Sequence, residues 1–251
     1  MQRSDRERDA YDTHDNLQGR PWVHRVFSHI FAGPNARYGE ELFFNTVAER
    51  IQDKTALELG CGSGGVAARL AQQTNATILA TDISSRQIDQ TACLAIPGRL
   101  EFRELNAEDA IDDSYDVIYG RGVLHHIDFR QALERLANDN LRAGGAMVFR
   151  EPLGANVLGA AYRLFSKDDH TDDERPVTRA DLNWFKETFK GFWYYPYGLA
   201  SLPLGAMSSP VFKNPDNPLT RLGHRLDHRA LRHVALVRPW FRAAVLVIDP
   251  A

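Results

Sequence analysis

The sequence predicts an α/β fold: a doubly wound, seven-stranded, mostly parallel sheet, with helices ahead of it and a cap inserted in its C-terminal half. Three observations carry this. Thr55-Ala56-Leu57-Glu58-Leu59 is a short apolar run suited to a buried parallel strand. It breaks into Gly60-Cys61-Gly62-Ser63-Gly64-Gly65 before a helical run from Val66 to Gln73. The same alternation of strand-like and helix-like runs recurs as far as Phe149, as a parallel sheet with crossover helices requires. Asp82 closes the second strand-like run, about 20 residues past the glycines, where such sheets place an acid for a ribose.

Composition narrows the function classes. A chain of 251 residues with 43% hydrophobic and 25% charged content is that of a soluble globular protein, long enough for one α/β domain plus a cap. The net charge of −3 supplies no basic field for nucleic acid. Two cysteines, Cys61 and Cys93, make neither a disulfide framework nor a metal quartet, so the reducing cytoplasm is the default compartment. The charged stretch Met1 to Asp15 is not a signal peptide. No run approaches the roughly 18 apolar residues of a membrane span, so stable membrane insertion is not expected. Oligomeric state stays open.

Taken in order, Met1 to Asp9 is highly charged and reads as a mobile terminus. Trp22, Val23, Val26, Phe27, Ile30 and Phe31 fall at near-helical spacing, and Tyr38, Leu42, Phe43, Val47 and Ile51 mark a second helix. Residues 1–52 thus form a helical segment, a lid or a layer on the sheet, ahead of a main domain at 53–251. Thr77 to Thr81 is a strand, Ser85 to Ala95 a helix and Leu100 to Leu105 a strand. Asp113 to Gly122 is the fourth strand, centred on Tyr115, Val117, Ile118 and Tyr119. Phe129 to Leu141 is an amphipathic helix stopped by Gly144-Gly145, and Ala146 to Phe149 is the fifth strand.

Beyond it, Asp181 to Phe189 is a helix with Thr178 or Asp181 near its cap, Phe192 to Tyr197 an aromatic strand and Phe241 to Ile248 a terminal strand. Leu199 to Asn217 is punctuated by Pro, Gly and Ser and reads as irregular. Leu219, Leu222, Leu226, Ala230 and Val234 make the apolar face of a helix. Arg221, Arg225, Arg229 and Arg232, with His224 and His228, make its other face, either solvated or a docking surface for an acidic partner or membrane headgroups. Cap segments are expected at about 153–180 and 198–240.

The chemistry gathers where the strands end. Glycines are needed where backbone turns tightly against a ligand, and the helix that follows offers unpaired N–H groups. Gly60, Gly62 and Gly65 fit a dinucleotide fingerprint, but a carboxylate at Glu58 suits a cationic ligand rather than a pyrophosphate. Asp82 can accept both hydroxyls of a ribose; the alternative, a helix cap, has equally good candidates in Ser84 and Ser85. Asn106-Ala107-Glu108-Asp109 is an acidic loop after the third strand. Arg121 sits at the C-terminal edge of the fourth strand, aimed at the cleft or held in a surface ion pair. Gly122-Val123-Leu124-His125-His126-Ile127 follows, with adjacent histidines pointing in different directions. Arg150-Glu151-Pro152-Leu153-Gly154 closes the fifth strand.

Glu58-Leu59-Gly60-Cys61-Gly62-Ser63-Gly64 resembles the first motif of the class I S-adenosylmethionine (SAM) methyltransferases. The Leu124-His125-His126 segment resembles that family too. More loosely, so does Glu151-Pro152-Leu153, with Tyr162-Arg163 and Asp172-Asp173-Glu174-Arg175-Pro176 after it. The resemblance covers Thr55 to Glu151 and implies the strand order 3-2-1-4-5-7-6, the last strand antiparallel. It implies SAM as cofactor and S-adenosylhomocysteine (SAH) as product. Glu58, Gly60, Cys61 and Gly62 would lie under the amino acid part, Asp82 and Ile83 at the ribose, and Asn106, Ala107 and Glu108 at the adenine. Tyr11 and Arg121 would complete the set. Asn106 stands where the family usually has Asp.

The reaction implied is methyl transfer to a small-molecule acceptor, in specialised or quinone-like metabolism. A hydroxyl or acidic-carbon acceptor needs a base, for which His125 and His126 come first, then Glu151 and His170. Trp184, Phe192, Trp193, Tyr194 and Tyr195 would suit a planar acceptor, or are ordinary packing. No metal-ligand cluster stands out, so metal-independent chemistry is expected. The same fold can also host another reaction on bound SAM, or serve as a non-catalytic SAM-binding module.

Overall fold

The computed structural model describes residues 3–13, 21–156 and 174–249. The side chains of Tyr11, Trp22, Val23 and Val26 lie outside the described residues, as do Tyr162, Arg163, His170, Asp172 and Asp173. Helices α1 (Arg3–Thr13), α2 (Pro21–Ala32) and α3 (Pro34–Ile51) lead into β1 (Thr55–Leu59). Then come α4 (Gly65–Gln73), β2 (Thr77–Asp82), α5 (Ser85–Thr91), β3 (Leu100–Glu104), β4 (Tyr115–Arg121), α6 (Phe129–Arg135) and β5 (Leu141–Pro152). The chain continues with α7 (Arg179–Thr188), β6 (Phe192–Tyr197), α8 (Ser201–Ser208), α9 (Pro218–His233) and β7 (Ala243–Ile248).

These strands form one seven-stranded sheet in the order β3-β2-β1-β4-β5-β7-β6. All neighbouring pairs are parallel except those of β7, which runs antiparallel to both β5 and β6. The order reverses beside β1, which puts the crevice at the C-terminal ends of β1, β2 and β4. Side chains alternate across the sheet. Leu57, Ile118, Phe149 and Leu246 pack with Phe129 and Phe185 on one face. Ala56, Val117, Tyr119, Val148 and Val245 pack with Phe43, Val47 and Leu70 on the other. Burial on both faces explains why the central strands are apolar along their whole length.

Four elements depart from the sequence reading. The charged N-terminus is a helix, α1, rather than a mobile tail, and its Glu7 is buried. The helix from Phe129 does not run to the glycines: α6 ends in a wide turn at Leu136–Asn140, and Gly144-Gly145 lie inside β5, where the register with β4 shifts. A Cβ on Gly145 would stand 2.7 Å from the Asp116 carbonyl, so the bulge requires glycine.

The Pro-, Gly- and Ser-rich stretch contains α8. This helix has no side-chain cap of its own. Asp227 of α9 supplies one, accepting from the Ala200 N–H at 2.5 Å and the Ser201 hydroxyl at 2.6 Å. A carboxylate at a helix N-terminus also meets the positive end of the helix dipole.

The fourth departure is α9 itself. It buries Thr220, Gly223 and Asp227, while Leu222 and Leu226 are 41% and 38% exposed on the arginine side. Gly223 lies so close to α8 that a Cβ there would meet the Ser201 Cα at 2.7 Å. The packed face was therefore set by smallness and hydrogen bonding, not by hydrophobicity.

Candidate functional site

The turn after β1 takes left-handed backbone at Gly60 (φ 64°), Gly62 (φ 51°) and Gly64 (φ 73°). Only glycine holds such angles without cost. The turn is pinned to the end of β2: the Cys61 N–H donates to the Thr81 carbonyl at 2.8 Å, and the Gly62 N–H donates to Asp82 Oδ2 at 2.8 Å. The other Asp82 oxygen accepts from the Ser84 N–H at 3.0 Å. Ser84, not Asp82, caps α5, accepting from the Gln87 N–H. Burial, the largest influence, raises the Asp82 pKa, and the backbone donors of Ser84 and Gly62 oppose it.

Above this turn lies a cavity of about 240 Å³. Gly60, Cys61, Gly62, Asp82, Ile83, Asn106, Ala107, Glu108, Arg121 and His126 all line it. The structure thus brings together the expected positions from β1, β2, β3 and β4. The loop after β3 is braced from both sides. Asn106 Oδ1 accepts from the Glu108 N–H at 3.0 Å, and Arg135 of α6 donates to the carbonyls of Ala107, at 2.8 Å, and Glu108. Glu108 Oε1 accepts from the Asp128 N–H at 2.8 Å, tying this loop to the segment after β4. Arg121 combines its two expected roles: it borders the cavity and pairs with Glu40 of α3 at 3.3 Å.

Glu58 does not reach the cavity wall. It is 2% exposed beneath the glycine turn, where its carboxyl accepts from the Tyr119 hydroxyl at 3.3 Å. Burial pushes its pKa up to about 8, against the opposing pull of the Arg121 guanidinium. Near neutral pH burial therefore favours the protonated form of Glu58.

The histidine side chains do not diverge as expected. Their ring centroids are 4.1 Å apart, with planes tilted by 41°. His126 borders the cavity, and its Nδ1 lies 3.1 Å from Glu7 Oε2. His125 stands behind it, with Nδ1 2.7 Å from Glu151 Oε2. Glu151 corrects the reading that made it a base. It is 1% exposed and outside the cavity, and its other oxygen accepts from the N–H groups of Val123 and Leu124 at 2.9 and 3.0 Å. Both oxygens hold the histidine segment in place.

The cavity also takes residues the sequence did not flag: Ser4 and Glu7 of α1, Ser63, Gln87, Leu105, Gly122, Val123 and Ile127. Ser63, Gly122, Val123 and Ile127 lie inside motifs already noted, though none was singled out as a site residue. Ser4 and Glu7 had no such marker, because α1 carries no apolar stripe. Polar contacts seat this helix. Arg3 donates to the His125 carbonyl at 3.1 Å, Arg8 donates to the Ile83 carbonyl at 3.2 Å, and the Ser84 hydroxyl donates to Asp12 Oδ1 at 2.5 Å. Tyr11 belongs to the same helix.

A glycine turn after β1, an acid ending β2 and a polar loop after β3, on a sheet ordered 3-2-1-4-5-7-6, define the Rossmann-like methyltransferase class. Residues 57–147 match the family model described as a methyltransferase domain. An uncharacterized protein of Haemophilus influenzae is 23% identical over 157 residues, covering 57% of this chain and 62% of its own length. The match thus spans less than two thirds of that relative.

Solved structures share the fold. Geranyl diphosphate C-methyltransferase from Streptomyces coelicolor, in complex with Mg2+, geranyl diphosphate and SAH, superposes with a TM-score of 0.62 at 11% identity, covering 100% of this chain and 99% of its own. Magnesium protoporphyrin IX methyltransferase from Synechocystis, with bound SAH, gives 0.57 at 14%, covering 100% of both chains. The 4+2 cyclase SpnF gives 0.56 at 14%, covering 95% and 100%.

Proposed function

We propose that this chain binds SAM in the cavity beside β1 and transfers its methyl group to a small-molecule acceptor in specialised or quinone-like metabolism. One observation carries the reading: the glycine turn, Asp82, the Asn106–Glu108 loop and His126 converge on one cavity. The cavity fits the cofactor. The turn leaves bare backbone where a side chain would intrude, Asp82 offers oxygens to a ribose, and Asn106, Ala107 and Glu108 offer polar groups to a base edge. Glu58 sits under the turn, where a cation bound above would favour its ionised form.

SAM, when bound, supplies a methyl group activated by its sulfonium. The chain must orient the acceptor and exclude water. Helix α1 covers the cavity from one side, with Val123 and Ile127 as apolar wall. An ionised carboxylate only accepts hydrogen bonds, so Glu7 favours a proton on His126 Nδ1, and His126, on the cavity wall, is the base we assign if the acceptor needs one. Glu151 fixes His125 in the same sense and acts as a positioning residue. Residues 1–52 would act partly as lid, through α1, and the segments at about 153–180 and 198–240 as cap. A small molecule rather than nucleic acid is the partner we assign, and the cytoplasm the compartment.

Calorimetry with SAM and SAH tests the cofactor. We expect micromolar binding, on the order of −8 kcal/mol, by the wild type. Asp82→Ala and Glu58→Ala should each abolish it. No binding to the wild type, or binding indifferent to both changes, removes the assignment. SAM binding without methyl transfer to any acceptor would favour another reaction on the same fold.

A further inference from the structure

A second polar cluster lies along the same edge of the sheet, past Arg121. Arg150 is near the end of β5, Tyr197 ends β6, and Arg242 immediately precedes β7. The two guanidinium carbons stand 5.7 and 5.5 Å from the Tyr197 ring centroid, so both cations flank one phenol. Tyr197 is 1% exposed, and its hydroxyl has no hydrogen-bond partner among the described residues; nor has Arg150 Nε. Buried polar groups are normally paired, so each orphan calls for a partner. The Tyr197 ring is wedged over Gly39 of α3, where a Cβ would lie 2.3 Å from its carbons, so the phenol is fixed in place.

The charges are unbalanced. Glu40 is shared, 3.0 Å from Arg150 and 3.3 Å from Arg121. Arg242 has neither hydrogen bond nor ion pair through its side chain among the described residues; its contacts are the rings of Tyr197 and Phe31. Burial, the largest influence on it, opposes its charge, yet a guanidinium does not give up its proton in a protein. The other nearby acid, Asp227, already accepts from Ser201, Asn35 and the start of α8. Three arginines thus face two carboxylates, one of them occupied elsewhere.

We propose that the methyl acceptor carries an oxyanion, a carboxylate or a phosphate, which Arg242 and Arg150 hold against the Tyr197 hydroxyl. This rests on the methyltransferase reading of the neighbouring cavity, because it makes the arginine edge the acceptor side of the site. Guanidinium forks match the planar paired oxygens of such groups, and the phenol adds a neutral donor. Arg121 lies both on the cavity wall and, through Glu40, next to Arg150, which links the anion site to the cofactor site.

The test uses three probes with one apolar body: 1-naphthoate, 1-naphthyl phosphate and the neutral 1-naphthalenemethanol. Calorimetry is run on the whole chain, with and without saturating SAH. At least one anionic probe should bind about tenfold more tightly than the alcohol, and the better of the two identifies the oxyanion. Arg242→Met and Arg150→Met should each remove that preference while leaving SAH affinity unchanged. Tyr197→Phe, which deletes only an unpaired hydroxyl, should keep the fold and weaken the anionic probe about threefold. Equal binding of all three probes by the wild type overturns the proposal whether or not SAH binds. Loss of SAH binding with the anion preference intact removes the cofactor reading and leaves the anion site standing.

Discussion

The cofactor half of the sheet, β1 to β5, and the cap half, α8 to β7, are built by different rules. In the first, the glycine turn and the cap of α5 are set by neighbouring residues. The glycine turn follows its strand directly, and Ser84 caps α5 by accepting from Gln87 only three residues on. In the second, the cap of α8 comes from a distant residue. Asp227 caps α8 from α9, and it also accepts from Asn35 of α3 at 3.0 Å. Asp227 is 1% exposed, so one acid joins three helices from inside. Local signals reveal the kind of site, whereas distant polar contacts shape what surrounds it.

The largest test of that contrast is Asp227→Ala. It strands the Ser201 hydroxyl, the Asn35 amide and the first N–H groups of α8 in a buried place. We expect a loss of about 3 kcal/mol in urea unfolding. Ser84→Ala, the loss of a local cap, should cost about 1 kcal/mol. Equal costs would mean that the two halves are not held differently.

The same contrast explains how much was legible. The order of the strands and most of the cavity wall follow from runs of five to seven residues, such as Thr55–Leu59 and Tyr115–Arg121, whose burial on both faces forces apolar composition. Phe192–Tyr197 was equally plain, and Thr178 does cap α7, with Asp181 completing a capping box. What escaped was held by polar contacts. Glu7 is invisible in a charged helix until His126 lies beside it, and Glu151 looks like a base until its two oxygens are seen to be engaged. Arg242, beside an apolar strand, gave no sign that it would join Arg150 and Tyr197.

Glu58 sharpens the comparison from within the legible half. Its identity was plain but its ionisation was not, because burial depends on the whole fold. With a folded pKa of about 8 against an ordinary 4.5, the folded protein holds this proton more firmly than the unfolded chain. The stabilisation is therefore complete below about pH 4.5 and is lost as pH rises through 8. Wild type should lose on the order of 4 kcal/mol relative to Glu58→Gln between about pH 5 and pH 9, read from paired denaturation curves. Parallel pH profiles for the two proteins would show that Glu58 ionises freely. A bound cationic ligand should shrink this loss, because favouring the carboxylate brings the folded pKa down towards its ordinary value.

The smallest expected effect separates hydrophobic pattern from burial on α9. Read as a stripe, Leu222 and Leu226 are core residues, and truncating either should cost about 2 to 5 kcal/mol. In the fold they are 41% and 38% exposed beside Arg221 and Arg225, and the packed face belongs to Gly223 and Asp227. Leu222→Gln and Leu226→Gln should then each change stability by less than about 0.5 kcal/mol. Gly223→Ala, a single added methyl, should cost more than either, because its Cβ must displace the Ser201 backbone 2.7 Å away. The reverse ranking in urea titrations would mean that the leucine face is covered in solution. The contrast between the two halves would then lie in an interface and not in the fold.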